Sequence, residues 1–253
     1  MKKTMLFLCI LFLGNILLSK NIYQLDLAQD TSIISASLFM YGYSYIRYNR
    51  QGELSIDNIE NLSIYDINFL DRHAVKNFSP VANKISDYLL YACLLAPFTM
   101  NFNNNISAEN KEINFIVGEV YLLTGAVVSL SKTTFQKIRP YAYNEIVDMN
   151  IRQAQDAQYS FISGHTALAF AGAILTANIY NDLYPNKDNF WIYATSISTA
   201  STVGYLRYKA GKHFPSDVLT GAAVGTGIAF LMTNLHKNNE GHTGAILRVG
   251  FQF

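Results

Sequence analysis

Cysteine is nearly absent: the 253 residues contain two, Cys9 and Cys93. Cys9 lies in an apolar N-terminal run that reads as an export signal, so the mature chain is expected to keep Cys93 alone. One cysteine makes no intramolecular disulfide and no cysteine-ligated metal site. Charge is also scarce. Asp, Glu, Lys and Arg make up 15% of the chain against 50% hydrophobic residues, low for a soluble protein. The net charge of +1 implies no broad basic surface and argues against a nucleic-acid partner. There is no internal repeat and no Gly-rich nucleotide loop.

What the chain has is apolar sequence in helix-sized pieces. Lys2 and Lys3 precede a short apolar run over residues 4–18, the pattern of a signal cleaved near Ser19. Residues 31–46 are moderately apolar and close on Tyr41, Tyr43, Tyr45 and Tyr48. Crowded tyrosines fit a membrane–water interface, and a half-buried amphipathic element fits equally. Residues 49–84 are polar and mixed in charge, with Asp71-Arg72 followed directly by His73. They are expected to form short surface helices over the core, with His73 and its neighbouring charges on a solvated face.

Five apolar segments follow, over residues 85–100, 113–130, 165–180, 190–206 and 218–233. Each approaches the length of a membrane span, and all are rich in Ala, Gly, Ser and Thr. Small residues let helices approach closely, as in the run from Gly221 to Gly225. The expected fold is all-α, an antiparallel helical bundle embedded in a membrane. Glu119 falls inside the second segment and is read as a structural acid. His236 and His242 are assigned no role, and residues 246–253 read as a docking strand or a frayed tail. The expected organisation is a signal (1–20), an N-terminal helix with a polar interfacial segment (21–84), a core (85–235) and a tail (236–253).

The chemistry concentrates where these segments end. His213 and Asp217 stand four apart, within reach of a carboxylate–imidazole contact that leaves one ring nitrogen free. Pro215 suits the first turn of a helix, and an acid near a helix start is favoured. Lys132 and Arg139-Pro140 bracket six residues after the second segment. Ser163-Gly164-His165 opens the third. In an antiparallel bundle these ends fall on one side.

Together these stretches resemble the three-part signature of the type 2 phosphatidic acid phosphatase (PAP2) superfamily: Lys, six residues, Arg-Pro; then Pro-Ser-Gly-His; then Ser-Arg, five residues, His, three residues, Asp. Order and spacing agree throughout, over roughly residues 113–235. Two positions depart from it. Ile162 stands for the Pro, and Leu206 stands for the Ser, removing a hydroxyl near the phosphate.

The resemblance implies a PAP2/haloperoxidase-type bundle and a phosphatase acting on a lipid phosphate monoester or pyrophosphate in a membrane. His213 would attack phosphorus to give a phosphohistidine, Asp217 would hold its ring, and His165 would protonate the leaving group. Lys132, Arg139, Ser163, Gly164 and Arg207 would bind the phosphate. This suits phosphoryl transfer, whose transition state spreads negative charge over its equatorial oxygens and rewards placed cations and N–H groups. The resemblance supplies no metal ligands and no cofactor. Alternatives are a soluble periplasmic acid phosphatase of the same superfamily, a vanadium haloperoxidase, and a membrane protein that keeps the pocket without turnover. The expected location is the inner membrane, multi-pass with the site exported, or else the periplasm. If residues 31–46 span a membrane, alternation of spans puts the site on the cytoplasmic side instead.

Overall fold

Four of the described α-helices open on a capping side chain, at Asp26, Ser55, Ser79 and Asp148. In the computed structural model, which describes residues 21–102 and 109–238, α1 (Leu27–Arg50) begins at Asp26, whose carboxylate accepts the Gln29 N–H. Asp30 in its first turn and Arg47 and Arg50 in its last complement the helix dipole. The polar segment then forms α2 (Ile56–Glu60) and two 3-10 turns, Ile64–Asp66 and Arg72–Lys76. Here the expectation of short helices is met, and His73 is exposed. Asp71, however, is fully buried.

α3 (Pro80–Leu95) opens with Ser79 Oγ accepting the Ala82 N–H and Pro80 in the first turn. α4 (Asn110–Phe135) ends at Gln136, which turns the chain with φ 46°. α5 (Met149–Gln153) is short, and α6 (Gly164–Leu183), α7 (Phe190–Lys209) and α8 (Pro215–Leu235) complete the described helices. Among the described residues the only β-pairing is an isolated antiparallel bridge between Tyr23 and Lys237. The expected signal, residues 246–253, Cys9 and His242 lie outside the described residues.

α6 is the axis of the bundle. It packs against α3, α4, α7 and α8, and twelve of its twenty residues are buried, chiefly small ones such as Ala167, Ala169, Ala171, Gly172 and Ala173. α8 answers with Gly221 and Gly225. A Cβ on Gly221 would stand 2.7 Å from the Ser163 carbonyl oxygen, and one on Gly225 would overlap the Ala167 carbonyl. Two backbones in contact gain dispersion along their whole length, and no larger residue permits it.

Large apolar side chains point the other way. Phe39, Leu95, Trp191 and Leu219 are each at least 64% exposed. Small residues inside and large apolar ones outside invert the pattern of a water-soluble core. The stretch Asn110–Tyr143 and the helix Pro215–Leu235 are long and apolar enough to cross a membrane.

The α6–α8 contact generates a paired prediction. Gly225→Ala should lower the thermal stability of the solubilised protein by about 1–3 kcal/mol through overpacking. Gly227→Ala, two residues on and facing open space, should be neutral or slightly stabilising because Ala is the better helix former. Equal Tm values for the two variants would contradict backbone contact at Gly225.

Candidate active site

The antiparallel course brings the ends of four helices together, as expected. The Ser163 N–H at the start of α6 donates to the Asp217 carbonyl in the first turn of α8 at 3.1 Å. Arg139, just past α4, donates from Nη1 to the Lys212 carbonyl beyond α7 at 2.9 Å. Between α7 and α8, Gly211 adopts φ 72°, a left-handed conformation that glycine takes without strain. That turn directs the chain inward, so that the next residues but one, His213 and Phe214, are buried.

His213 is held by one nitrogen and unprotonated at the other. Nδ1 lies 2.8 Å from the Ser160 carbonyl oxygen. A carbonyl only accepts, so Nδ1 carries the proton and Nε2 keeps its lone pair. Nε2 faces Arg139 Nη1 at 3.3 Å. Burial above all, and then the positive charges of Arg139, Lys132 and Arg207, push the imidazole well below its ordinary pKa. It is a neutral base whose lone pair accepts from Arg139 in a positive field.

The expected direct contact with Asp217 is not made. The Asp217 carboxylate stands 4.0 Å from Nδ1, because Ser160 comes between them. Asp217 accepts instead from the Ser160 hydroxyl, from the Phe214 N–H at 3.0 Å and from Lys137 Nζ at 2.8 Å. Its hold on the imidazole passes through Ser160.

Of the phosphate-binding candidates, Arg139 touches this nitrogen, and Lys132 and Arg207 add their positive charge to its field. Lys132 Nζ donates to the Tyr159 carbonyl at 2.6 Å. Arg139 is fixed by Asp156, through its carbonyl and its carboxylate, both at 2.9 Å. Arg207 donates from Nη1 to Asn83 Oδ1 at 2.7 Å and approaches Ser86 Oγ at 3.4 Å. Ser86 on α3 therefore gives Arg207 a hydroxyl neighbour although position 206 is Leu. Arg207 Nε is buried without a partner, a donor that an added anionic oxygen would satisfy. Ser163 Oγ shares a hydrogen bond with Thr166 Oγ1 at 2.8 Å. Gly164 leaves room beside Val128, whose Cγ1 would lie 3.1 Å from a Cβ at that position. His165 Nε2 donates to Asp87 Oδ1 at 2.8 Å, leaving Nδ1 as its free position. Ile162 is buried against Val128 and Ala167.

Several residues of the site carried no signal in the sequence. Lys137 lies inside the first motif, and its contacts are with acids and a hydroxyl of the chain. It links Asp71 at 3.1 Å, Ser216 at 3.0 Å and Asp217 at 2.8 Å. Burial alone would raise the Asp71 carboxyl, but hydrogen bonds from Ser216 and the Lys137 charge outweigh it and hold the pKa down. Asp156 is likewise held low by Arg139, Lys212 and Lys132 against the effect of burial. A cavity of about 330 Å³ opens beside Lys132 and Asp156, walled by Tyr41, Tyr45, Tyr48 and Tyr159.

The neutral His213 has a measurable consequence for folding. An unfolded histidine takes up a proton near pH 6.5, whereas folded His213 does so only at lower pH. As pH falls through about 6.5 the unfolded chain is favoured, by up to about 1.4 kcal/mol per pH unit. Thermal melts of the unliganded protein from pH 7.5 to 5 should therefore show a smaller Tm loss for His213→Asn than for the wild type. Parallel slopes would mean that His213 takes up its proton at the same pH folded and unfolded, and that burial does not depress its pKa.

Comparison with known proteins places the chain in a family. The chain is 34% identical over 121 residues to a lipid A 4'-phosphatase of Porphyromonas gingivalis, covering 46% of this chain and 48% of that protein. It is 28% identical over 144 residues to an undecaprenyl-diphosphatase of Sulfolobus acidocaldarius, covering 57% and 63%. The aligned region thus spans about half the length of these relatives. The fold is similar to the crystal structure of a transmembrane PAP2-type phosphatidylglycerolphosphate phosphatase from Bacillus subtilis, with a TM-score of 0.50 and 17% identity over 79% of this chain and 95% of that one. The family model of the PAP2 superfamily matches residues 114–240, half of the sequence and every motif residue of the site, and the chain belongs to that superfamily.

Proposed function

We propose that this chain is a membrane-embedded phosphatase that hydrolyses a lipid phosphate monoester or pyrophosphate through a phosphohistidine at His213. The observation that carries the reading is the unprotonated Nε2 of His213, met by Arg139 alone and lying in the field of Lys132, Arg139 and Arg207. A phosphoryl group placed there has its equatorial oxygens met by guanidinium and ammonium groups and its phosphorus in front of a nucleophile. The N–H groups at the start of α6, beside Ser163 and Gly164, add neutral donors.

In the first step Nε2 attacks phosphorus and the bond to the leaving oxygen breaks. The negative charge of the bound phosphate favours the His165 imidazolium, whose Nε2–H stays on Asp87 while its Nδ1–H is given to that oxygen. In the second step His165 takes a proton from water as the water oxygen attacks phosphorus. The P–N bond breaks, inorganic phosphate leaves, and His213 returns to its neutral form. Asp217 acts as a positioning residue by fixing Ser160, whose carbonyl selects the reactive tautomer.

The lipid part of the reading rests on the surroundings of the cradle. The tyrosine-walled cavity reaches Lys132, and the outer faces of the bundle are apolar. A hydrocarbon chain laid there leaves water while its phosphate reaches the cations. Each methylene so buried contributes about 0.8 kcal/mol, enough for a few carbons to separate a lipid from a soluble ester. The relatives named for lipid A and undecaprenyl diphosphate point to the same substrate class. We place the chain in the inner membrane, multi-pass, with the cradle on the exported side.

Kinetics in mixed micelles test this directly. kcat/KM should rise with alkyl chain length from ethyl to dodecyl phosphate, and a flat profile would favour the soluble acid phosphatase. His165→Ala should slow turnover by about 10²–10⁴-fold, and Arg207→Ala by about 10²-fold. Sealed right-side-out vesicles should hydrolyse substrate added outside; activity only after lysis would reverse the orientation.

A further inference from the structure

A second buried polar cluster lies at the opposite end of the bundle. α8 starts at the cradle with Pro215 and runs 21 residues to Leu235, about 30 Å at 1.5 Å per residue. His236 follows directly. Its ring meets Asp30, in the first turn of α1, and Glu119, nine residues into α4. Nε2 is 3.1 Å from Asp30 Oδ1 and 3.1 Å from Glu119 Oε2, and the ligand atoms of all three lie within 4.8 Å of one another. The three residues are 4%, 3% and 1% exposed for Asp30, Glu119 and His236. Apolar residues surround them, with Ile116, Val117, Val120 and Met232 in the same core.

Asp30 Oδ1 is hydrogen-bonded to His236 Nε2, but two features show that protein partners do not complete the cluster at Glu119. Neither carboxylate oxygen of Glu119 has a hydrogen-bond partner, although both are buried. Oε2 lies beside the imidazole, off the line of a hydrogen bond, and Oε1 meets nothing. The other feature is the orientation of the ring. His236 Nδ1 donates to the Met232 carbonyl at 2.8 Å, an interaction outside the cluster that turns Nε2 towards the two acids. With Nδ1–H so fixed, neutral His236 would aim a lone pair at two anions. A metal-bound histidine commonly has this arrangement, its second N–H donated to a backbone carbonyl.

Charge counting leads to the same conclusion. Two ionised carboxylates and an imidazolium leave a net charge of about −1 in an apolar core, a cost that either a proton on Glu119 or a bound cation removes. Among the described residues no Lys or Arg compensates, and the adjacent Lys237 pairs with Asp182 at 2.9 Å. A divalent cation with neutral His236 brings the sum to zero. Ligands at about 2.0–2.1 Å in tetrahedral array stand about 3.3 Å apart, close to the 3.1 Å separations seen here.

We propose that Asp30, Glu119 and His236 form a structural site for one divalent transition cation, with Zn²⁺ the species best suited to one imidazole and two carboxylates. The ion ties the N-terminal end of α1, the interior of α4 and the C-terminal end of α8. It takes no part in the chemistry of the cradle.

The test uses the full-length protein in detergent, prepared without a polyhistidine tag. Elemental analysis after exhaustive dialysis should find about one Zn²⁺, or an equivalent transition ion, per chain. Chelation should lower Tm by about 5 °C or more, and added ZnCl₂ should restore it. Glu119→Gln and His236→Gln should lose the ion, whereas His213→Asn should retain it, which separates this site from the cradle. Wild-type protein that holds no metal and whose Tm ignores both chelator and Zn²⁺ would overturn the proposal. So would metal content that follows His213 or persists in both Glu119→Gln and His236→Gln.

Discussion

The buried carboxylate of Asp217 is the constraint from which the rest of the cradle hangs. It accepts from Ser160, Phe214 and Lys137, and so joins the turn before α6, the start of α8 and the segment after α4. A buried anion is tolerated only when its lone pairs are met, and removing one partner of such a pair costs about 3–5 kcal/mol. Lys137 carries the compensation onward to Asp71, which binds the Ser216 N–H at 3.0 Å. The polar segment between α1 and α3 is thereby locked over the site. His213 inherits its tautomer from this network, since the Ser160 carbonyl that fixes Nδ1 belongs to the residue whose hydroxyl Asp217 holds.

The helices deliver these groups because their axes stand unusually close. Ser163 and Ala167 of α6 lie against Gly221 and Gly225 of α8 with no side chain between. The Ser163 N–H can then reach the Asp217 carbonyl directly. Small residues inside displace bulky apolar ones to the outer face, where lipid can meet them. One compositional feature thus serves both the positioning of the cradle and the surface on which a lipid substrate would approach.

The sequence made the cations and the two histidines legible because their spacing is local to each motif. The helical bundle was legible too, from five apolar segments that became α3, α4, α6, α7 and α8 with ends shifted by a few residues. What could not be read were the partners across the chain. Asn83, Ser86 and Asp87 meet Arg207 and His165 from 78 to 124 positions away, and no local pattern marks them. The same holds for Ser160, which displaces Asp217 from the imidazole, and for Asp71, which looked like part of a solvated face. Glu119 and His236 were read as background for the same reason. Their meaning lies in an encounter between α1, α4 and the end of α8.

The central claim is that His213 Nε2, freed by Ser160 and lying in the field of three cations, is the atom that accepts the phosphoryl group. Rapid quench of the protein with a ³²P-labelled lipid phosphate, followed by peptide mapping, tests it most directly. The account predicts an acid-labile, alkali-stable label on the peptide that holds His213, absent from His213→Ala together with turnover. Label on another residue, or undiminished phosphate release by His213→Ala, would contradict it.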